Sequence, residues 1–359
     1  MDTSTSEHAA RVSAYAAVGT QLSLLSDRRL AKAVAAAPHQ GSGIGGRSAE
    51  MEVEEKRVFV KRIPLTDIEL QPQHARSTAN LFNLPLFYQY GVGSAGFGAW
   101  RELATHIMTT GWVLNNDYAG FPLLYHWRVL PDSPPADVTA EFGGMEGAVA
   151  HWDGSPAVRR RLEAIATSTS SLVLFLEHIP QTLGTWLADN HDPARPEPGD
   201  ASPYQWADNA VRRGTEFMSA HQLVHFDTHF ANLLTDGHHV YFADFGLALS
   251  RAFELSAEEA TFLTDHLVYD RSYAPNHLLR HHLPHGIREG TEHQTFLRQW
   301  TKGHRPDGIP TDIGALIDRH APHAIILDDF HRRLLTQSKR TPFPTAEIQQ
   351  ALAGTSTPG

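Results

Sequence analysis

The apolar positions of residues 6–37 recur at helical spacing in an Ala/Leu-rich run that ends at Pro38, which predicts a helix there. A glycine-rich stretch, GSGIGG (41–46), follows at once. Two strands are predicted next: AEMEV (49–53), and VFVKRI (58–63), where Val58 and Val60 alternate against Phe59 and Lys61. Residues 64–98, with scattered Pro and Asn and a GVGSAGFG segment, show no period and read as an insertion with little structure of its own. From Gly98 the pattern turns helical again, with Trp100, Leu103, Ala104, Ile107 and Met108 on one stripe. FPLLYHWRVL (121–130) predicts a strand, residues 157–166 a short helix, and LVLFLE (172–177) an apolar strand. The second half is mainly helical. A helix over about 202–221 leads to LVHFDTHFANLL, a turn at Asp236-Gly237 and the strand VYFADF. Ser256 with Glu259, and Thr291 with Gln294, fit the capping-box spacing of two later helix starts, and the tail beyond Gly354 reads as frayed.

Composition narrows the class. The chain has 359 residues, of which 41% are hydrophobic and 19% charged. That length and balance can bury the core of about two domains and exclude wholesale disorder. The net charge of −10 repels phosphate backbones, so no nucleic-acid partner is expected, although the 23 His residues would erase much of that charge in mild acid. The absence of cysteine excludes disulfide frameworks, thiolate catalysis and Cys-built metal sites. The first residues lack a basic start followed by an apolar core, and no stretch approaches the ~20 apolar residues of a membrane helix. A cytoplasmic chain without a membrane partner is the expectation.

The chemistry concentrates in HFDTHFAN (225–232) and ADFG (243–246). The skeleton is His-x-Asp-x-x-x-x-Asn followed by Asp-Phe-Gly, six fixed positions that chance would rarely supply together at about one in twenty each. Upstream, in order, stand Gly41-x-Gly43-x-x-Gly46, Lys61 on a strand, and Glu102 on the next helix. Phosphoryl transfer needs a phosphate held in line, its charge neutralised, and a hydroxyl aimed at it. Glycines let backbone amides approach phosphate oxygens, and a strand-borne ammonium such as Lys61 neutralises them when a carboxylate positions it. Asp244 and Asn232 offer hard oxygens suited to Mg²⁺, and Asp227 can accept the hydroxyl proton.

On these residues the chain resembles the protein-kinase-like superfamily, which holds protein kinases and the aminoglycoside and other small-molecule phosphotransferases. The resemblance covers about residues 41–250. It implies an α+β bilobal protein-kinase-like fold, with a β-rich amino-terminal lobe, a helical carboxy-terminal lobe and ATP between them. The resulting division is a helical extension (1–40), the first lobe with its insertions (41–177), and the helical lobe with the catalytic loop (178–354). LFLEHI (174–179) matches the linker between lobes. On that match Leu176 would flank the adenine, and the backbone at Glu177, His178 and Ile179 would bind its edge.

Departures from the family pattern select a branch. Phe226 stands where activation-loop-regulated protein kinases carry arginine, and His229 where Ser/Thr kinases usually carry lysine. No Ala-Pro-Glu follows Gly246, and a helix starts near Ser256. All three features favour a small acceptor. Glu102 falls on the polar side of its helix stripe and far along the chain from Lys61, so residues 64–98 must loop out, with Glu69 as the reserve partner. His225 is expected to fix the catalytic loop through hydrogen bonds. His281, His282 and His285 read as solvated, as do the carboxylates Glu254, Glu258, Glu259, Asp265 and Asp270. A metallohydrolase triplet of His225, Asp227 and His229 leaves the other motifs unexplained. The expectation is therefore an ATP- and Mg²⁺-dependent kinase acting on a small-molecule hydroxyl, such as an antibiotic or related metabolite. An atypical Ser/Thr protein kinase is the alternative, and a pseudokinase binding module the third.

Overall fold

The β-branched and aromatic runs of the first half pair into one antiparallel sheet. The computed structural model describes residues 3–43, 46–190, 202–284 and 286–354. Helices α1 (Thr3–Leu24) and α2 (Asp27–Ala36) come first. They replace the single predicted helix because Ser26 caps the second one, its hydroxyl accepting from the Arg29 amide. Strands β1 (His39–Gly43), β2 (Gly46–Val53) and β3 (Lys56–Leu65) follow, then α3 (Ala99–Leu114), β4 (Leu124–Pro131), α4 (Met145–His151), α5 (Pro156–Ala166) and β5 (Ser170–Glu177). The sheet order is β1-β2-β3-β5-β4. The chain is α+β, and it divides into two compact units: Met1–Ile179 with Ala243–Glu259, and Pro180–Phe242 with Ala260–Gly359. The 1–40 segment therefore belongs to the first unit rather than standing as an extension, and residues 243–259 leave the helical lobe to join it.

Strand period places Phe59, Ile63 and Leu65 on one face of β3, where Ala99, Trp100 and Leu103 of α3 pack against them together with Leu172, Leu174 and Leu176 of β5. The opposite, polar side of α3 is buried as well: Arg101, Glu102, Thr105 and His106 are all inaccessible. Two segments distant in sequence cover it. One is residues 64–98, which does not loop out. Tyr88 is fully buried, with its ring edge-on to Trp152 at 4.6 Å, and Gln89 donates to the Leu247 carbonyl. The other is residues 243–259, from which Glu259 reaches Arg101 at 2.6 Å and Phe245 reaches His106 at a ring separation of 4.9 Å. Gly96 permits this closure, because a Cβ there would run into the Gly246 carbonyl.

The second unit is mostly helical: α6 (Leu183–Asn190), α7 (Pro203–Ala220), most of α8 (Ala257–His266), α9 (Tyr269–His281), α10 (His293–Thr301), α11 (Thr311–Thr336) and α12 (Thr345–Gly354). A small antiparallel ladder joins Gln181–Thr182, Leu233–Thr235 and Val240–Phe242, with its turn held by Asp236, which accepts the His238 and His239 amides. The Ser256–Glu259 capping box is reciprocal, at 3.0 and 3.1 Å. The Thr291–Gln294 box is not. Glu292 caps α10 instead, accepting from the amides of Gln294 and Thr295. Among the described residues no helix is long and apolar enough to cross a membrane. Ile44, Gly45, His285 and the tail beyond Gly354 lie outside the described residues.

Candidate active site

Lys61 stands on the α3-covered face of the sheet, its Cα opposite Ser48 of β2 and Leu174 of β5. Its Nζ is 2.7 Å from Glu102 Oε1 and 2.7 Å from Asp244 Oδ1. Three positions scattered over the first unit thus converge on one ammonium. Burial alone would lower the Lys61 pKa, but the two carboxylates outweigh it and hold the amine above its ordinary value. Burial pushes the Glu102 carboxyl up to about 7. Lys61 opposes that shift, while the like charge of Asp244 adds to it. Glu102 is 2% exposed, so it is no solvated surface residue despite its place on the polar stripe.

The reserve partner Glu69 has another task. Its carboxylate accepts from Thr66, from the Ala99 amide at the start of α3 (2.8 Å), and from buried Arg161 (2.9 Å). It caps and anchors the helix that carries Glu102. Asp244 keeps 39% of its side chain exposed and sits at φ +62°, a left-handed conformation that non-glycine residues rarely adopt. Phe245 is buried between His106 and Phe121 and pins the turn.

Gly41 and Gly43 lie in β1 and pair with Ser48 and Gly46, so the glycine stretch is a hairpin between β1 and β2. Gly46 sits at φ +119°, where a Cβ would meet the Arg62 carbonyl of β3. Leu176 is buried in the core beneath the sheet. The Glu177 amide donates to the Leu123 carbonyl at 2.8 Å. The Glu177 side chain is held by Arg11 of α1 at 2.6 Å, a residue that also donates to the Ala119 and Phe121 carbonyls. His178 is 3.2 Å from Glu50, and Ile179 closes the first unit.

In the second unit, Asn232 donates through Nδ2 to the backbone carbonyl of Asp227 (3.0 Å) and to its Oδ2 (3.1 Å). This orients the Asp227 carboxylate and leaves Asn232 Oδ1 as its oxygen for a cation. His229 Nε2 lies 3.6 Å from the same carboxylate, whose side chain is 22% exposed. His225 is fully buried, and its Nδ1 accepts the Asp227 amide. Among the described residues, His225, Asp227 and His229 do not bring three ligand atoms together, so the metallohydrolase triplet has no geometric basis. Phe226, at φ +65°, packs its ring on Phe262 and Tyr269.

Asp270 is the residue that sequence reasoning missed. Taken for a solvated carboxylate, it is 3% exposed and accepts the backbone amides of His225 (2.6 Å) and Phe226 (3.0 Å). Burial pushes its carboxyl up to about 7 against the pull of those bonds. Glu259 and Glu254 are likewise engaged, with Arg101 and with Ser77–Thr78. None of the three is left to form an acidic surface. His282 is also no solvated residue: it stacks on Phe230 at 4.7 Å and is held down at about 4 by burial and the neighbouring His281, which is itself exposed.

No protein-family model matches the chain, and no curated protein matches it.

Proposed function

We propose that the chain is an ATP- and Mg²⁺-dependent phosphotransferase of the protein-kinase-like superfamily that acts on a hydroxyl of a small molecule. The observation that carries this reading is the Lys61–Glu102–Asp244 cluster, because motif residues far apart in sequence meet there at 2.7 Å. Each unit carries an oxygen donor of the kind a hard divalent cation takes: Asp244 a partly exposed carboxylate in the first, Asn232 an amide oxygen in the second. When bound, Mg²⁺ and ATP supply the activated phosphoryl group and the neutralisation of its charge.

The protein's own residues do the rest. Glu102 and Asp244 fix the ammonium of Lys61, which stays protonated to meet phosphate oxygens. Asn232 aims Asp227, and Asp227 takes the proton of the acceptor hydroxyl. Asp270 holds the loop that presents it. The small-acceptor branch is supported by the stretch after Gly246. It is short, is anchored by the Glu254 amide on Thr78, and gives way to α8 at Ala257. With Lys61, Asp227, Asn232 and Asp244 all present, a catalytically silent module is the weaker alternative.

The test is a melting curve with and without MgATP, because a ligand that binds only the folded state raises the midpoint. EDTA should remove most of the shift. An ATP-consumption screen on a metabolite panel should then outpace transfer to generic protein substrates. An unmoved melting curve at saturating MgATP would sink the reading, and robust serine phosphorylation of proteins would change the acceptor class alone.

A further inference from the structure

In the second unit, α7, α9, α11 and α12 contribute to a cavity of about 240 Å³ whose polar lining is Arg212, Glu216, Arg271, Arg319, His320 and His323. Three guanidiniums face a single carboxylate in it. That carboxylate, Glu216, is loosely held, 3.4 Å from Arg212 and 3.8 Å from Arg271, and all three side chains are about a third or more exposed. Ion pairs of this kind are weak, so both guanidiniums are available to a better partner. Arg319 is tied more firmly to Asp208, at 2.6 Å.

Behind the arginines runs a buried relay. Asp208 Oδ1 accepts a hydrogen bond from His320 Nε2 at 2.7 Å, and His320 Nδ1 is 3.0 Å from His323 Nε2. His323 is completely buried, and its remaining nitrogen, Nδ1, has no partner. A buried polar atom left unmatched costs about 1–3 kcal/mol. His323 itself lines the cavity, beside His320 and the three arginines. With a neutral His320, His323 Nε2 donates and Nδ1 keeps a lone pair.

We propose that this cavity binds a small phosphate-bearing anion, gripped by Arg212, Arg271 and Arg319. Three guanidinium forks suit a tetrahedral group with several charged oxygens better than a carboxylate with two. The volume holds a phosphate with a few attached atoms and falls below the ~300–1,000 Å³ of drug-sized ligand sites. His323 is kept well below its ordinary value by burial and by His320 and Arg271, with Asp208 opposing, and an anion raises it. The charged groups that line the cavity or join the relay are Arg212, Glu216 and Asp208 from α7, Arg271 from α9, and Arg319 from α11. None of this rests on the kinase reading.

The experiment is calorimetric titration of the full chain with inorganic phosphate at pH 6.5, without nucleotide or Mg²⁺. It is run on wild type, Arg212→Gln, Arg271→Gln and Glu216→Gln. One site is expected in wild type, about tenfold weaker in each arginine variant and tighter in Glu216→Gln, because each change removes one charge-assisted contact or one repulsion. Glycerol phosphate should compete at the same site if the natural ligand is an ester, and only free phosphate should bind if it is not. Absence of binding in wild type up to about 10 mM, a very weak limit, would overturn the proposal. Equal binding in all four proteins would do so too, by marking an adventitious anion. The MgATP melting shift, measured on the same variants, should be unchanged, so failure of this site and failure of the nucleotide reading are seen separately.

Discussion

The carboxylate of Asp270 accepts the backbone N–H of His225 at 2.6 Å, and through that bond α9 fixes the loop that carries Asp227. Asp270→Ala strands two buried amides, at about 1–3 kcal/mol each. A lowered melting temperature and a collapse of turnover are expected together. Asp270→Asn keeps one acceptor oxygen but sets its NH₂ against the other amide, so it should recover only part of the stability. If Asp270→Ala melts like wild type, the bond to the loop carries no weight.

Glu69 and Glu102 separate by readout. Glu69→Ala removes the Ala99 cap and leaves Arg161 buried without its carboxylate, a change of about 3–5 kcal/mol that should appear in denaturant midpoints. Glu102→Gln leaves Lys61 with Asp244 alone. Its stability should move less, while turnover drops by about 10²-fold as the ammonium loses its second anchor. The reverse pattern would exchange the two roles.

Asp227 and Asp244 test the division between base and cation ligand. Asp227→Asn keeps the shape but cannot take a proton, so turnover should fall by about 10²–10⁴-fold with nucleotide affinity nearly unchanged. Asp244→Asn should weaken both nucleotide–metal affinity and turnover. Near-normal turnover in Asp227→Asn would remove it from the chemistry.

Stability should fall on acidification from pH 6.5 toward 4. Burial holds His266 and His277 at about 3, and His282, His293 and His331 at about 4, with His323 well below its ordinary value. The unfolded chain protonates these imidazoles below about 6.5, whereas the folded chain resists until their lowered values. Glu102 and Asp270, raised to about 7, protonate first in the folded state and pull the other way over the same range. Six groups against two leave a net loss. A higher melting temperature at pH 5 than at pH 7 would contradict this sum.

What was legible in the sequence was what depends on spacing. Alternation located β3, apolar and aromatic runs located β2, β4 and β5, the stripe from Trp100 to Met108 located α3, and fixed intervals singled out residues 225–232 and the Asp-Phe-Gly turn. What was not legible depends on which distant segment covers a polar side chain. Glu102 and Asp270 look like any solvated carboxylate until residues 243–259 or the 225–232 loop pack on them. Residues 64–98 show no long period because short 3-10 turns and irregular backbone, rather than an α-helix or a sheet, bury Tyr88 and Glu69. The second helix start was present locally in Ser26-Asp27, but the Ala-rich run on both sides hid it.

Helix α3, packed on the sheet by one side and enclosed by two remote segments on the other, leaves only Ile107 exposed between Ala99 and Leu114. Its amides should therefore exchange hydrogen with solvent only when the first unit opens as a whole, at the slowest rates in that unit. A helix so enclosed has nowhere to swing. The contact between Lys61 and Glu102 is then a standing feature of the folded unit rather than one that a signal assembles.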